Sequence, residues 1–479
     1  MSHKGELVKN TVIIAIGKLS TQVLSYILLP LYTAKMVVSE YGTFDLVATL
    51  SLFLCPVITL LMEEAMFRFL VDAEGVKEKK KIISQTIIYT VIGTLVFIPL
   101  AVLVLNILNI YPPSFILVFI VFIISNIIIN LSNALARGLS EIKLYSLSNF
   151  ILGIITLALT IVVLLTKPSA ETLLWADAIA NILTASFVFI KLGMNKYIGK
   201  PDKEKMTEMV KYSLPLVPNS ISWSIINMSD RLILTAMVSS QANGIYAMAN
   251  KFPNIINVLY GYFYTAWKES AARIVKEENK AKYYNSIYHD MKKFLYAVTL
   301  LLIAVMPFAF PIFINGQYDE AYIYIPIVMI ATYYSNLSSF YGGIFSAYKD
   351  TKIMGTTTFV AATINLIIDL ALVKFIGIYA ACFSTLIANV IVYYYRKYKL
   401  KRYMKLKELQ LLGPVTMMII VCLAYYTKYI TGIPMAIYWV INIISFALAI
   451  LYSIAINKKI IVTLVDKIKS KRRGTSDEN

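Results

Sequence analysis

The chain has 479 residues, of which 58% are hydrophobic and 15% charged, with a formal net charge of +18 and a mean hydropathy of +0.70. A soluble domain carries about 25% charged residues, so this balance excludes a soluble enzyme or binding module and leaves an integral membrane protein. Three cysteines, Cys55, Cys382 and Cys422, and two histidines, His3 and His289, lie far apart, which excludes zinc spacing and a disulfide framework. No metal or cofactor is expected, and without a Gly-rich Lys-Ser/Thr phosphate loop the chain is not expected to hydrolyse ATP.

A membrane-crossing helix needs about 20 mostly apolar residues. Hydropathy, with Pro, Gly and charge clusters as breakers, predicts about fourteen spans, roughly at 10–33, 44–69, 82–108, 113–136, 145–166, 172–194, 212–238, 244–267, 293–315, 321–347, 354–375, 377–396, 409–430 and 434–456. The opening run is too long and too polar-studded for a signal peptide, so it is expected to persist as span one.

Span one carries Thr11, Lys18, Gln22 and Ser25 at helical intervals, which sets them on one face. Span two holds Glu63, Glu64 and Arg68; Glu64 lies four residues before Arg68, a spacing that suits a helix-end ion pair. Asp177 lies near the start of span six. Span seven opens on Pro215 and Pro218, which permit a bend or a kinked start. It continues with Ser220, Ser224, Asn227 and Arg231 on one face. Asp230 points elsewhere, because adjacent helix positions diverge by about 100°; a partner on span eight, such as Lys251, would satisfy it. The stretch 268–293 reads as a helix lying in the membrane interface. Span eleven carries Asp369, a residue suited to ion coupling or to structural pairing.

Basic residues set the topology. With a cytoplasmic N-terminus, 37 of the 45 Lys and Arg fall on the cytoplasmic side, including the run Arg396 to Lys407 and the tail, while only Lys35, Lys167, Lys374 and Lys428 fall outside. This asymmetry predicts an even number of spans with both termini inside. The net charge is therefore topology and headgroup contact, not a nucleic-acid footprint.

A repeat runs through the chain. "VKNT" at 8–11 answers "VPNS" at 217–220, and "SEYGTFDLVATL" at 39–50 answers "QANGIYAMANKF" at 241–252. Under the same shift of 209, Thr11 falls on Ser220, Lys18 on Asn227 and Gln22 on Arg231. The expected organisation is an all-α polytopic protein with two pseudo-symmetric six-helix lobes, 1–200 and 201–408, around a central cavity. A further helix pair, 409–456, and a basic cytoplasmic tail, 457–479, complete it. Lys18, Arg68, Arg231 and Lys251 lie within spans. Each would cost about 2.5–3.5 kcal/mol at mid-bilayer, so they are expected to face water, counter-charges or an anionic substrate. Short outer connections and scarce acidic motifs speak against a membrane glycosyltransferase or polymerase.

"NMSDRLILTAM", "GIYAMANKF" and "SAYKDTKIMGTTTFVAATINLIIDLALVKFIGIYAACFSTLIANV" resemble the bacterial polysaccharide and O-antigen flippases. These belong to the multidrug/oligosaccharidyl-lipid/polysaccharide exporter superfamily. The resemblance implies a flippase of the bacterial cytoplasmic membrane that moves undecaprenyl-diphosphate-linked oligosaccharide between leaflets by alternating access. An ion gradient or the membrane potential would drive it, for lipopolysaccharide, O-antigen or capsule synthesis. It implies a lipid-linked glycan and membrane lipids as partners, with polysaccharide polymerase and glycosyltransferases alongside. Lys18, Gln22, Asn227, Arg231, Lys251 and Arg68 become candidate cavity contacts. Asp230, Asp369 and Glu63 become candidates for ion coupling or structural pairing. Many O-antigen flippases have twelve spans; fourteen looks more like lipid II flippases and teichoic-acid exporters, and a multidrug extruder is the other alternative.

Overall fold

The computed structural model describes residues 26–107, 114–200, 202–314, 316–348, 350–404, 406 and 412–476. They form an all-α membrane protein of sixteen α-helices. These are α1 (Leu29–Lys35), α2 (Val38–Thr59), α3 (Met62–Asp72), α4 (Gly75–Ile107), α5 (Ser114–Gly138), α6 (Ile142–Thr166), α7 (Ala170–Leu192) and α8 (Lys203–Ser213). Then come α9 (Val217–Met237), α10 (Ser240–Ile274), α11 (Lys280–Phe313), α12 (Ala321–Ala347), α13 (Thr351–Ile376), α14 (Ile378–Leu400), α15 (Leu412–Tyr426) and α16 (Met435–Ser476).

Among the described residues ten helices are long and apolar enough to cross a membrane, against the fourteen spans expected. The start of span one lies outside the described residues. Spans seven, eight and ten form as α9, α10 and α12, helices of 21, 35 and 27 residues, but Ser, Asn, Tyr and charged residues dilute their hydropathy. Helices of this kind suit surroundings of protein or water better than lipid.

Three expectations need correction. Span two is broken in its middle: Leu60 and Leu61 take left-handed backbone angles, φ 48° and 56°, and part α2 from α3. Left-handed geometry costs a non-glycine residue about 1–2 kcal/mol. Thr59 steadies the break by accepting from Leu61 N at 3.2 Å. The stretch 268–293 is no separate surface helix. It is the end of α10 and the start of α11, joined by a short turn, because the apolar periodicity of both neighbours runs into it. Arg396, expected in a cytoplasmic connection, sits within α14 just before its last turn and is buried. Pro215 and Pro218 do make a kinked start: a 3-10 turn, Leu214–Leu216, leads into α9 with a proline in its first turn.

The chain forms two compact units, 1–247 with 314–317, and 248–313 with 318–479. In the first, α2 packs against α4, α5, α7 and α9. Val47, Ile58, Phe119, Ile123 and Leu174 form its core there. A second core joins α3, α4, α5 and α8 through Met62, Met66, Ile82, Leu135 and Met209. In the second unit α12 packs on α14, α14 on α13, and α11 on α12, α15 and α16. Its interior is aromatic. Trp267 stacks on Phe340 at 4.2 Å between ring centres, and Tyr322 on Tyr425 at 4.0 Å. The hydroxyls of Tyr288, Tyr341 and Tyr393 bond one another at 2.8 and 3.0 Å. Buried tyrosines need such partners for their hydroxyls.

Candidate functional site

The first unit holds a polar seam where α9 and the start of α10 meet α2. Helical spacing puts Ser224 and Arg231 on one face of α9, and both turn to α2. Ser224 Oγ donates to the Leu52 carbonyl at 2.8 Å. Arg231 Nε donates to Asp45 Oδ2 at 2.6 Å, with the two side chains 19% and 16% exposed. Arg231 lies six residues from the end of α9, about 9 Å below it. It therefore pairs within the protein instead of snorkelling to headgroups. Its neighbour Asp230 faces the other way and accepts from Tyr246 Oη on α10 at 2.7 Å. Span eight thus supplies a partner for Asp230, through a tyrosine.

The seam closes around two glycines. A Cβ on Gly42 would lie 1.9 Å from the Ser240 carbonyl oxygen and 2.7 Å from Gly244 N. A Cβ on Gly244 would lie 2.1 Å from the Val38 carbonyl oxygen. Each glycine meets a residue one helical turn before the other, so the contact is reciprocal. It joins the two segments that the repeat sets in correspondence, 39–50 and 241–252. Asn243 Nδ2 fastens it by donating to the Gly42 carbonyl at 2.7 Å.

A family model described as polysaccharide biosynthesis protein matches residues 7–267, more than half of the chain. The chain belongs to that family. This polysaccharide biosynthesis protein also shares its fold with solved transporters. "Lipid II flippase MurJ, inward closed conformation" aligns with a TM-score of 0.71 at 14% identity, over 94% of this chain and 100% of that one. An inward-facing multidrug resistance MATE family transporter of the MOP superfamily aligns at 0.65 and 12%, over 81% and 98%. A MOP superfamily transporter from Pyrococcus furiosus aligns at 0.55 and 10%, over 82% and 96%. No curated protein sequence matches significantly. The fold is one that the chain shares with these solved transporters.

The other predicted residues of this family member are dispersed. Lys18 and Gln22, with Thr11 and Ser25, lie outside the described residues, as does the side chain of Asn227. Lys251 is half-buried on α10. Arg68 is 48% exposed and pairs with Asp72 at 2.6 Å, whereas Glu64 faces Arg137 at 3.5 Å. Glu63 is buried at the start of α3, directly after the break, where the helix N-terminus favours a carboxylate. Asp369 is buried on α13. One turn before it, Asn365 Nδ2 donates to Ser384 and Thr385 at 3.0 and 3.3 Å.

Sequence reasoning missed Asp45 and Arg396. Asp45 was legible as a carboxylate inside the Gly-aromatic segment of the repeat, two turns into the helix. Arg396 was hidden among the basic residues that follow it.

Proposed function

We propose that this protein is a flippase that carries undecaprenyl-diphosphate-linked oligosaccharide from the inner to the outer leaflet of the bacterial cytoplasmic membrane, for cell-surface polysaccharide synthesis. The observation that carries the reading is the family match, which runs from span one into α10. Cations within spans support it, since Arg and Lys are strong phosphate partners. In this reading two six-helix lobes alternate about a cavity, with α15 and α16 as an added pair and both termini cytoplasmic. Lys18, Gln22, Asn227 and Lys251 contact the diphosphate, and Arg231 and Arg68 join when their ion pairs open. Asp230, Asp369 and Glu63 couple transport to an ion gradient. The Asp45–Arg231 pair and the Gly42–Gly244 contact act as a latch that one conformation holds and the other releases. Polymerase and glycosyltransferases supply and take up the glycan.

A second reading, a lipid II or teichoic-acid precursor as cargo, draws on the likeness to MurJ, which extends over 94% of the chain against 81% for the MATE transporter. A multidrug extruder is less favoured, because organic cations need acidic cavities and basic residues are in excess here. Depletion should make a lipid-linked oligosaccharide accumulate on the inner leaflet. Accumulated lipid II would favour the second reading, and drug sensitivity without accumulation the extruder. Lys18→Ala and Arg231→Ala should each cut glycan export about tenfold or more while inserting normally. Wild-type export by both would sink the cationic-cavity idea.

A further inference from the structure

Arg396 lies just before the last turn of α14, close to a helix end where a basic side chain ordinarily reaches water. It is instead 4% exposed. Its Nε donates to Thr357 Oγ1 at 2.9 Å, Nη1 to the Ser338 carbonyl at 3.1 Å and Nη2 to Thr358 Oγ1 at 3.0 Å. All three acceptors are neutral, and among the described residues no carboxylate pairs with it. A guanidinium has five N–H donors, so two remain.

The surroundings have the same character. Tyr260 on α10 belongs to the aromatic cluster that reaches Arg396 through Tyr264 and Gly342. It too is 4% exposed, and its hydroxyl has no hydrogen-bond partner. Tyr264, one turn on, stacks against it at 5.8 Å. Gly342 on α12 holds the space open: a Cβ there would lie 3.6 Å from Arg396 Nη1 and 3.8 Å from Tyr264 Oη. Next to it, Trp267 Nε1 donates to the Phe340 carbonyl at 3.0 Å and braces α10 on α12. Tyr264 and Thr358 are half-buried, so the rim is accessible.

A buried charge without a counter-ion costs several kcal/mol, and neutral acceptors recover only part of that. A buried cation with donors to spare, beside a buried hydroxyl that bonds nothing, is arranged for an anion. We propose that Arg396, Tyr260 and Tyr264 form a binding site for a phosphate-class anion. The guanidinium fork grips two phosphate oxygens, and the tyrosine hydroxyls donate to a third. Arg396 is four residues from the end of α14, about 6 Å along the helix, at the end that the charge asymmetry assigns to the cytoplasm. The anion is a lipid headgroup or a soluble phosphate, and the site rests on the flippase reading only for which of these it meets.

The full chain, purified in detergent, is titrated with inorganic diphosphate. In phosphatidylcholine nanodiscs it is tested for retention of added phosphatidylglycerol. Tyr260→Phe removes a hydroxyl that bonds nothing in the fold, so its thermal stability should equal wild type. It should weaken binding about tenfold, and Arg396→Gln should abolish it. Loss confined to diphosphate identifies a soluble anion, and loss confined to phosphatidylglycerol a lipid headgroup. Equal binding by wild type and Tyr260→Phe for both probes, or binding of neither probe by wild type, overturns the site. Because no transport is measured, a chain that fails to flip glycan yet binds these probes counts against the flippase reading alone.

Discussion

Asp45 and Arg231 show how a membrane helix accommodates charge. Either alone would be a buried ion in a low-dielectric environment; together they form a charge-assisted hydrogen bond of 2.6 Å. Removing one partner of such a pair costs more than removing both, because the survivor is left uncompensated. Asp45→Asn should therefore lower stability by about 3 kcal/mol, read as a fall in melting temperature of the purified protein. Adding Arg231→Gln should restore most of it. A double variant as unstable as the sum of the singles would show that the pair is not coupled. The polar stripe of α9 was legible from its spacing. Its target was not, since a hydrogen bond to α2 depends on how two distant segments pack, and periodicity reports only which residues share a face.

Among helices, close approach is governed by glycine. Gly42→Ala puts a methyl 1.9 Å from the Ser240 carbonyl oxygen, so α2 and α10 must separate, at an expected cost of about 1–3 kcal/mol. Gly355→Ala is the control: its Cβ would meet nothing within 4 Å, and helix propensity predicts a gain of up to about 1 kcal/mol. Thermal unfolding of both variants separates a packing requirement from a general intolerance of substitution. The break at Leu60–Leu61 could not be foreseen at this scale. Leucine is a strong helix former, and only the surrounding fold overrides it.

Across the whole molecule, the helices were legible because lipid demands long apolar runs. The count of spans was less so, because α9, α10 and α12 trade hydropathy for polar contacts. The final pair is also more integral than an appendage. Tyr296 Oη of α11 donates to the Pro414 carbonyl at 2.6 Å, Phe308 packs on Trp439 at 5.6 Å, and Asn457 Nδ2 reaches the Lys293 carbonyl at 3.4 Å. Deleting residues 409–479 strips one face of α11 of its cover, so the truncated chain should fail to accumulate in the membrane. Wild-type abundance after the deletion would show that α15 and α16 are accessory to folding.

The reciprocal glycine contact also has a genetic consequence. The atoms that exclude a methyl at Gly42 are the Ser240 carbonyl and the Gly244 amide of the main chain, and no substitution elsewhere can shorten a backbone. A screen for revertants of a Gly42 lesion should return only true reversion to glycine at position 42, with no compensating change among the side chains that face it. The two halves of the repeat are thus bound to inherit the same residue at this point, whatever else in them diverges.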